Sequence, residues 1–325
     1  MHRYDDGTDA MARLVLDYAV DRLRLDPVPL DGPLSYDELA ARVGETITPR
    51  GLGAETVMRL FGEVIGPACL SNDSYRYLSF IPAAPTKASQ LFDIVVSASA
   101  ISGISWLEAS GAVYAENQAL RFLADRAGLP AGAGGCFVSG GSAANLSALV
   151  VARDTAAQRL GGRPPRWRVA VGEQTHSSVA SVLRIVDAEP FVVPSDEHDR
   201  MTGAALGHAL DADGDPGSVF AVVATAGTTN AGIVDDLEGV AAVAGERGLW
   251  LHVDGAYGGA ALLAPSARAR FTGIEAADSF VVDPHKWLFA PFDCAALVYR
   301  EPELARAVNA QHASYLDAIR GDEHE

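Results

Sequence analysis

The chain has 325 residues, of which 49% are hydrophobic and 21% charged, a composition typical of folded globular proteins rather than disordered ones. Its formal net charge of −17 argues against nucleic acid as a general partner, because basic surfaces bind phosphate backbones. The length is sufficient for one large domain or two modest ones.

The sequence carries no targeting or membrane signal. Its N-terminus lacks the apolar core of a signal peptide, and no apolar run approaches the length of a membrane span. The three cysteines are Cys69, Cys136 and Cys294, and their odd number and wide spacing suit neither a disulfide framework nor a metal site. We therefore expect a cytoplasmic protein without a membrane partner or a bound metal.

The first 75 residues are predicted to form a helical arm. Apolar residues between Met11 and Leu23 recur at three- and four-residue steps, which predicts an amphipathic helix over 9–25. Two shorter helices are predicted at 36–43 and 54–64. Because such an arm needs another surface to pack against, a second copy of the chain in a homodimer is one candidate partner.

Residues 76–325 are predicted to form one large α/β domain. Helical patterning extends from 86 to 128, and short apolar runs then alternate with helices. The seven runs predicted as strands are 135–138, 168–171, 191–193, 219–225, 249–253, 279–282 and 295–299. This alternation indicates crossover connections and a mostly parallel seven-stranded sheet with helices on both faces. Ligands bind such sheets at the carboxyl ends of the strands, so the loops there are the expected positions of functional residues.

Five of these strand ends carry candidate functional residues. In the first, a glycine pair precedes a helix that is predicted to begin at Ser142. The free N–H groups of that helix could bind a phosphate or carboxylate, or Ser142 could simply cap the helix. In the second, His176 opens a helix, where it could stack on a flat ring, bind an anion or serve a structural purpose.

The third and fourth strand ends carry hydroxyl groups and a carboxylate. Thr228 and Thr229 follow a β-branched strand, where they could line a ligand or belong to an ordinary polar loop. Asp254 ends a strand that reads as buried, and a buried carboxylate needs a partner. That partner could be a protonated ring nitrogen, or Asp254 could cap a neighbouring helix.

The fifth strand end carries a lysine. Lys286 follows a buried run and stands between His285 and Trp287, and Lys87 is the only other lysine of the chain. A lysine in such surroundings loses its proton readily and can act as a nucleophile. Together, the five segments supply an anion site, a ring-stacking histidine, a carboxylate and a nucleophilic lysine, which is the set that pyridoxal phosphate requires.

At these motifs the sequence resembles the group II pyridoxal-dependent amino-acid decarboxylases, which include the aromatic amino-acid, histidine and animal-type glutamate decarboxylases. The resemblance covers roughly residues 70 to 300, and its motifs follow the order of the family. They are Ser139-Gly-Gly-Ser142, Thr175-His-Ser-Ser178, Gly227-Thr-Thr229, His252-Val-Asp-Gly-Ala256 and Asp283-Pro-His-Lys-Trp287. The last string is specific and the others support it.

The resemblance implies a fold-type-I large domain and a role for each matching residue. Lys286 would form a Schiff base (aldimine) with the cofactor aldehyde, Asp254 would pair with the pyridine nitrogen, and His176 would stack on the ring. The other cofactor-binding residues that it implies are Ala256 on the opposite face, Thr229 at the ring, and Gly141, Ser142 and His285 at the phosphate.

The substrate pocket implied by the resemblance is apolar. Its residues correspond to Phe80, Ile81, Pro82, Ile104 and Trp106, in segments that family dimers often share across their interface. An apolar pocket favours an aromatic or aliphatic L-amino acid as the substrate.

The implied reaction is decarboxylation to an amine and CO2. Tyr315, 29 residues after Lys286, matches a family tyrosine that returns a proton after CO2 leaves, whereas oxidative aldehyde-forming relatives tend to have phenylalanine there. Aldehyde formation, aminotransfer and lyase chemistry use the same lysine and aspartate, so they stay open as alternatives.

Two departures from the family stand out. Asp283 replaces an asparagine that several relatives have, and we expect it to point away from the phosphate because like charges repel. The C-terminal small domain of the family is also absent from these 325 residues. This predicts a truncated chain, an inactive protein, or a cofactor-binding subunit that needs a partner chain to supply that domain.

Overall fold

The structure, a computed structural model, describes residues 3–310. The chain divides after Lys87 into two compact units. Within residues 3–310, no helix has both the length and the apolar character needed to cross a bilayer. Whether the first 75 residues act as a separate arm stays a prediction.

The first unit is helical, as predicted. Its helices are α1 (Asp6–Arg24), α2 (Tyr36–Val43) and α3 (Ala54–Leu60), and a π-helical turn at Phe61–Ile65 continues α3. The N-terminus of α2 carries a capping box in which Ser35 and Glu38 satisfy each other's backbone N–H groups. An ion pair of 2.7 Å between Arg22 and Asp73 joins the end of α1 to the segment after α3.

The second unit is a three-layer α/β structure. Its strands are β1 (Gly134–Val138), β2 (Arg168–Gly172), β3 (Glu189–Val193), β4 (Val219–Thr225), β5 (Trp250–Asp254), β6 (Ser279–Val282) and β7 (Ala295–Tyr299). Its helices are α4 (Lys87–Ala98), α5 (Trp106–Ala127), α6 (Gly141–Leu160), α7 (Ser177–Ile185), α8 (Gly203–Ala212), α9 (Leu237–Arg247), α10 (Pro284–Trp287) and α11 (Pro302–Asn309).

The seven strands form one sheet in the order β1-β7-β6-β5-β4-β2-β3. The pairs within β6-β5-β4-β2-β3 are parallel, and β7 is antiparallel to both of its neighbours, so the predicted mostly parallel seven-stranded sheet is confirmed. Alternate residues of β4 enter different cores: Val222 and Ala224 face one side, whereas Ala221 and Val223 face the other. Burial on both faces explains why the central strands read as continuous apolar runs.

This topology brings several loops to one edge of the sheet. Because β1, β2, β4, β5 and β6 run in the same direction, the segments that follow them all emerge at the same end of the strands. Those are the five segments that the sequence singles out.

Candidate active site

A pocket of about 260 Å³ lies at the carboxyl ends of these strands, and segments after β1, β2, β4, β5 and β6 form its walls. The structure brings all eight predicted cofactor-binding residues to this pocket. They are Gly141, Ser142, His176, Thr229, Asp254, Ala256, His285 and Lys286. In the described part of the chain, no group of three His, Cys, Asp or Glu side chains is arranged to hold a metal ion.

The start of α6 forms one end of the pocket. The helix begins at Gly141 and its N-cap is Gly140, which makes no side-chain capping bond, so Ser142 lies inside the first turn and is not the cap. The pocket here is narrow, because a Cβ on Gly141 would lie 3.0 Å from Cβ of Ala256. The first turn of α6 lines this end of the pocket, and helix N-termini favour anions through their backbone N–H groups.

Asp283 faces this same end of the pocket, contrary to expectation. Its Oδ2 accepts a hydrogen bond of 3.2 Å from the Gly141 amide and lies 2.9 Å from Nζ of Lys286. These two donors hold the carboxylate in the pocket, which explains why it does not point away. Burial raises the pKa of Asp283, and the positive charge of Lys286 opposes that rise. The other oxygen, Oδ1, is buried and has no hydrogen-bond partner among the described residues.

His285 is held in one orientation beside Asp283. Its Nδ1 accepts a hydrogen bond of 2.7 Å from the backbone amide of Cys294, and its ring lies 4.5 Å from that of Phe292. Since Nδ1 is the acceptor, the neutral ring carries its proton on Nε2. Burial lowers the pKa of His285, which favours this neutral form, and Nε2–H becomes a donor for a ligand in the pocket.

His176 and the threonine loop form the side walls. His176 is the N-cap of α7, and its Nδ1 accepts a hydrogen bond from the amide of Ser178. The same residue also lines the pocket, so it can serve both as a cap and as a contact for a ligand. After β4, Gly227 adopts a φ of +112°, and a Cβ there would lie 2.7 Å from Cα of Gly258. This close approach places Thr228 and Thr229 in the wall of the pocket.

Asp254 lines the pocket where β5 terminates. It is buried, and its carboxylate accepts a bond of 2.9 Å from Nδ2 of Asn145 and one of 3.1 Å from the amide of Ala256. Both donors are neutral, and Asp254 forms no ion pair with a side chain of residues 3–310. A buried carboxylate with neutral donors alone retains its capacity to bind a cation.

The predicted substrate residues belong to different parts of the chain. Phe80 and Ile81, which have positive φ values, lie with Pro82 in the first unit. In the second unit, Ile104 is 79% exposed and Trp106 begins α5, and neither lines the pocket described above. Tyr315 falls outside the described residues. The roles of all five substrate residues and of Tyr315 stay predictions.

Several polar residues of the site had no predicted role. Asn145 stands one helical turn after Gly141, a spacing that places both on the same side of α6, so helical periodicity could have found it. His252 precedes Asp254 by two residues and therefore lies on the same face of β5. Tyr257 lines the pocket and stacks on Trp287 with ring centroids 5.3 Å apart, a contact that no local sequence pattern indicates.

Residues 44–323 match the family profile described as the pyridoxal-dependent decarboxylase conserved domain. The chain therefore belongs to the pyridoxal-dependent decarboxylase family. It is 31% identical over 293 residues to the aromatic-L-amino-acid decarboxylase of Bacillus atrophaeus and 33% identical over 274 residues to that of Mus musculus. These alignments cover 89% and 78% of this chain, but only 60% and 57% of the two relatives.

Solved structures show the same fold. The chain matches Oryza sativa TDC, solved with PLP and tryptamine, with a TM-score of 0.90 and 26% identity over 98% of this chain and 68% of that one. It matches Rhodiola rosea 4-hydroxyphenylacetaldehyde synthase with a TM-score of 0.86 and 25% identity, covering 95% of this chain and 69% of that one.

Proposed function

We propose that this chain carries the cofactor site of a pyridoxal-phosphate-dependent enzyme that decarboxylates an L-amino acid to its amine and CO2. The observation that carries the proposal is one pocket that joins Lys286, Asp254 and the start of α6. Membership in the family supports the reaction class. The chain spans about 60% of the length of its aromatic decarboxylase relatives, so the activity of the whole protein is part of the proposal.

The pocket residues fit pyridoxal phosphate at both ends. The first turn of α6 and Nε2–H of His285 supply neutral donors for the phosphate group. At the opposite end, Asp254 supplies a negative charge for a protonated ring nitrogen, while Ala256 leaves room for the ring between the two ends.

When bound, pyridoxal phosphate supplies an electron sink for the pair left behind as CO2 departs. Lys286 offers the amine that attaches to the cofactor aldehyde, and Asp254 holds a proton on the ring nitrogen by remaining ionised. His176 covers one face of the ring position. His176 and Tyr315 are our candidates to deliver a proton to the carbon that loses CO2, and the role of Tyr315 rests on the family resemblance alone.

An aromatic or other apolar amino acid is the substrate class that we propose. The relatives named aromatic-L-amino-acid decarboxylases support this choice, as does the rice protein solved with tryptamine. The apolar segment Phe80–Pro82, together with Ile104 and Trp106, would contact the side chain of the substrate. We further propose a homodimer, in which a partner could complete the substrate pocket.

The two lysines allow a matched test of the cofactor site. The protein is titrated with pyridoxal phosphate, reduced with borohydride, and mapped by mass spectrometry. We expect a visible absorbance band and a fixed adduct on the Lys286 peptide, both retained in Lys87→Ala and both lost in Lys286→Ala. Full turnover with normal cofactor content in Lys286→Ala would contradict the proposal, as would an adduct confined to Lys87.

A second candidate reaction is the oxidative formation of an aldehyde. The likeness to Rhodiola rosea 4-hydroxyphenylacetaldehyde synthase is the observation that favours it. Product analysis separates the possibilities, since decarboxylation gives amine plus CO2, oxidation gives aldehyde with oxygen consumption, and aminotransfer gives a keto acid. If Tyr315 directs the outcome as we propose, Tyr315→Phe will shift product from amine to aldehyde.

A further inference from the structure

A hydrogen-bonded chain of buried side chains extends from Asp254 into the interior of the protein, and its first member, Asn145, also lines the pocket. Asn145 donates its Nδ2–H to Oδ2 of Asp254 at 2.9 Å, and its Oδ1 lies 2.9 Å from Nε2 of His252. Nδ1 of His252 lies 2.8 Å from Oγ of Ser279, which also accepts from the indole Nε1–H of Trp250 at 2.9 Å. His252, Asn145 and Ser279 are each at most 1% exposed.

The donor and acceptor atoms fix the direction in which each hydrogen bond of this chain of side chains is donated. A carboxylate only accepts, so the NH2 group of Asn145 faces Asp254 and its Oδ1 faces Nε2 of His252. In a neutral ring, Nδ1 of His252 is then left to accept from the hydroxyl of Ser279. His252 therefore carries its proton on Nε2 and donates to Oδ1 of Asn145, whose amide group donates in turn to Asp254. Complete burial lowers the pKa of His252 to about 4, which keeps the ring neutral at physiological pH.

His252 and Ser279 thus donate in the direction of Asp254, and every member of the hydrogen-bond chain apart from Asp254 is neutral. Asn145 donates to Asp254 at 2.9 Å and also makes a longer bond of 3.4 Å to Oγ of Ser178. A carboxylate stabilised by neutral donors keeps its full charge, whereas an ion pair would have cancelled it. The chain also fixes the amide orientation of Asn145, because a flipped amide would set its NH2 group against the N–H of His252.

We infer that Asn145, His252 and Ser279 are positioning residues that hold Asp254 as an ionised, oriented acceptor for a protonated ring nitrogen. This inference rests on the proposed function. It assigns these residues no contact with the cofactor, and they act through Asp254. Their removal should weaken the recognition of a ring nitrogen more than it weakens the recognition of the phosphate or the aldehyde.

The test compares pyridoxal phosphate with its 1-deaza analogue, in which a C–H group replaces the ring nitrogen. Both compounds carry the phosphate and the aldehyde, so the ratio of their dissociation constants isolates the contribution of Asp254. We expect wild-type protein to prefer pyridoxal phosphate. Asn145→Leu should reduce this preference about tenfold or more, the effect expected when a carboxylate loses one hydrogen bond.

Variants along the chain and one matched control complete the design. His252→Leu should lower the preference as Asn145→Leu does, whereas His252→Gln retains a donor towards Asn145 and should restore much of it. Ser279→Ala removes only a buried oxygen and keeps the test available if a larger change prevents folding. The control is Ser147→Ala, which removes a bond of 3.0 Å to Tyr299 from the same helix without affecting Asp254.

The possible outcomes separate the inference from the proposed function. Equal losses of affinity for both compounds would show that the hydrogen-bond chain serves folding only. An unchanged or increased preference for pyridoxal phosphate in Asn145→Leu and His252→Leu would also overturn the inference. Failure of the wild-type protein to bind pyridoxal phosphate at Lys286 would instead refute the proposed function.

Discussion

Asp283→Asn is the substitution that most directly tests the anion end of the pocket. The carboxylate of Asp283 takes the hydrogen bond of the Gly141 amide and the ion pair of Lys286, two groups that would otherwise attract a phosphate. Asparagine has nearly the same shape without the charge, and it brings an N–H donor to the region of the unpartnered Oδ1. We therefore expect Asp283→Asn to bind a phosphorylated ligand more tightly than wild-type protein does.

The geometry sets the scale of this gain. Oδ2 of Asp283 lies 3.2 Å from the Gly141 nitrogen, and an anion oxygen bound to the same amide would lie about 3 Å from that nitrogen. The two negative groups would then be at most about 6 Å apart. At an effective dielectric constant of about 20, their repulsion is on the order of 3 kcal/mol, or roughly 100-fold in affinity. Because solvent reaches Lys286 and screens the pocket, we expect a gain of about 10- to 100-fold.

Calorimetric titration with pyridoxine 5′-phosphate measures this gain, because that compound lacks the aldehyde and cannot attach to Lys286. Burial raises the pKa of Asp283, so its charge is present above this raised pKa and disappears as the pH falls through it. The affinity ratio between variant and wild type should thus be largest at high pH and should shrink as the pH falls. The phosphate of the ligand also loses negative charge as the pH falls, which reduces the repulsion and shrinks the ratio in the same direction.

A surface substitution of the same charge provides the control. Asp125→Asn also removes one negative charge, but Asp125 lies on α5 in an i,i+4 pair with Arg121 and does not line the pocket. It should change the affinity little at moderate ionic strength. Equal or weaker binding by Asp283→Asn at high pH would refute the reasoning, as would a ratio that does not change with pH.

Two further predictions concern the crowding at Gly141 and the buried carboxylate of Asp235. Gly141→Ala places a Cβ 3.0 Å from that of Ala256, so calorimetry should show about tenfold weaker binding of pyridoxine 5′-phosphate. The control is Gly245→Ala, whose new Cβ has no atom within 4 Å and should leave the affinity unchanged. Equal affinities of the two variants would contradict the crowding argument. Asp235 accepts from the amides of Met201 and Thr225, and burial raises its pKa to about 6 from 3.8. Since the folded state holds this proton more tightly than the unfolded state, the free energy of unfolding should decrease by roughly 3 kcal/mol as the pH rises from about 4 to above 6. Denaturant titrations across this range should show the decrease in wild type but not in Asp235→Asn, and identical pH profiles would disprove it.

The sequence predicts the central strands better than the edge strand, and burial explains the difference. The bounds predicted for β4, β6 and β7 match the structure, because each is a continuous run of small or apolar residues buried on both faces. The edge strand β3 begins two residues earlier than predicted, at Glu189. A charged residue followed by proline does not indicate a strand, but an exposed edge accommodates both.

For the site, the sequence identifies residues that lie next to a recognisable motif and misses those that depend on packing between elements. Lys286 and Asp254 could be found because each follows an apolar strand at its carboxyl end. The chain through Asn145, His252 and Ser279 depends on two further facts: β5 pairs with β6 so that His252 stands opposite Ser279, and α6 turns Asn145 towards them. Strand register and helix rotation are tertiary properties that a single sequence does not encode locally.

The two buried carboxylates of the pocket differ in their partners, and this difference gives the pocket its polarity. Asp283 forms an ion pair with Lys286 beside the start of α6 and His285. Asp254 has only neutral hydrogen-bond donors and forms no ion pair with a side chain of residues 3–310. A ligand with an anionic group at one end and a cationic nitrogen at the other can satisfy both ends in only one orientation. This arrangement also explains how a chain with a net charge of −17 can bind an anion, since local donors rather than overall charge set the potential inside a pocket.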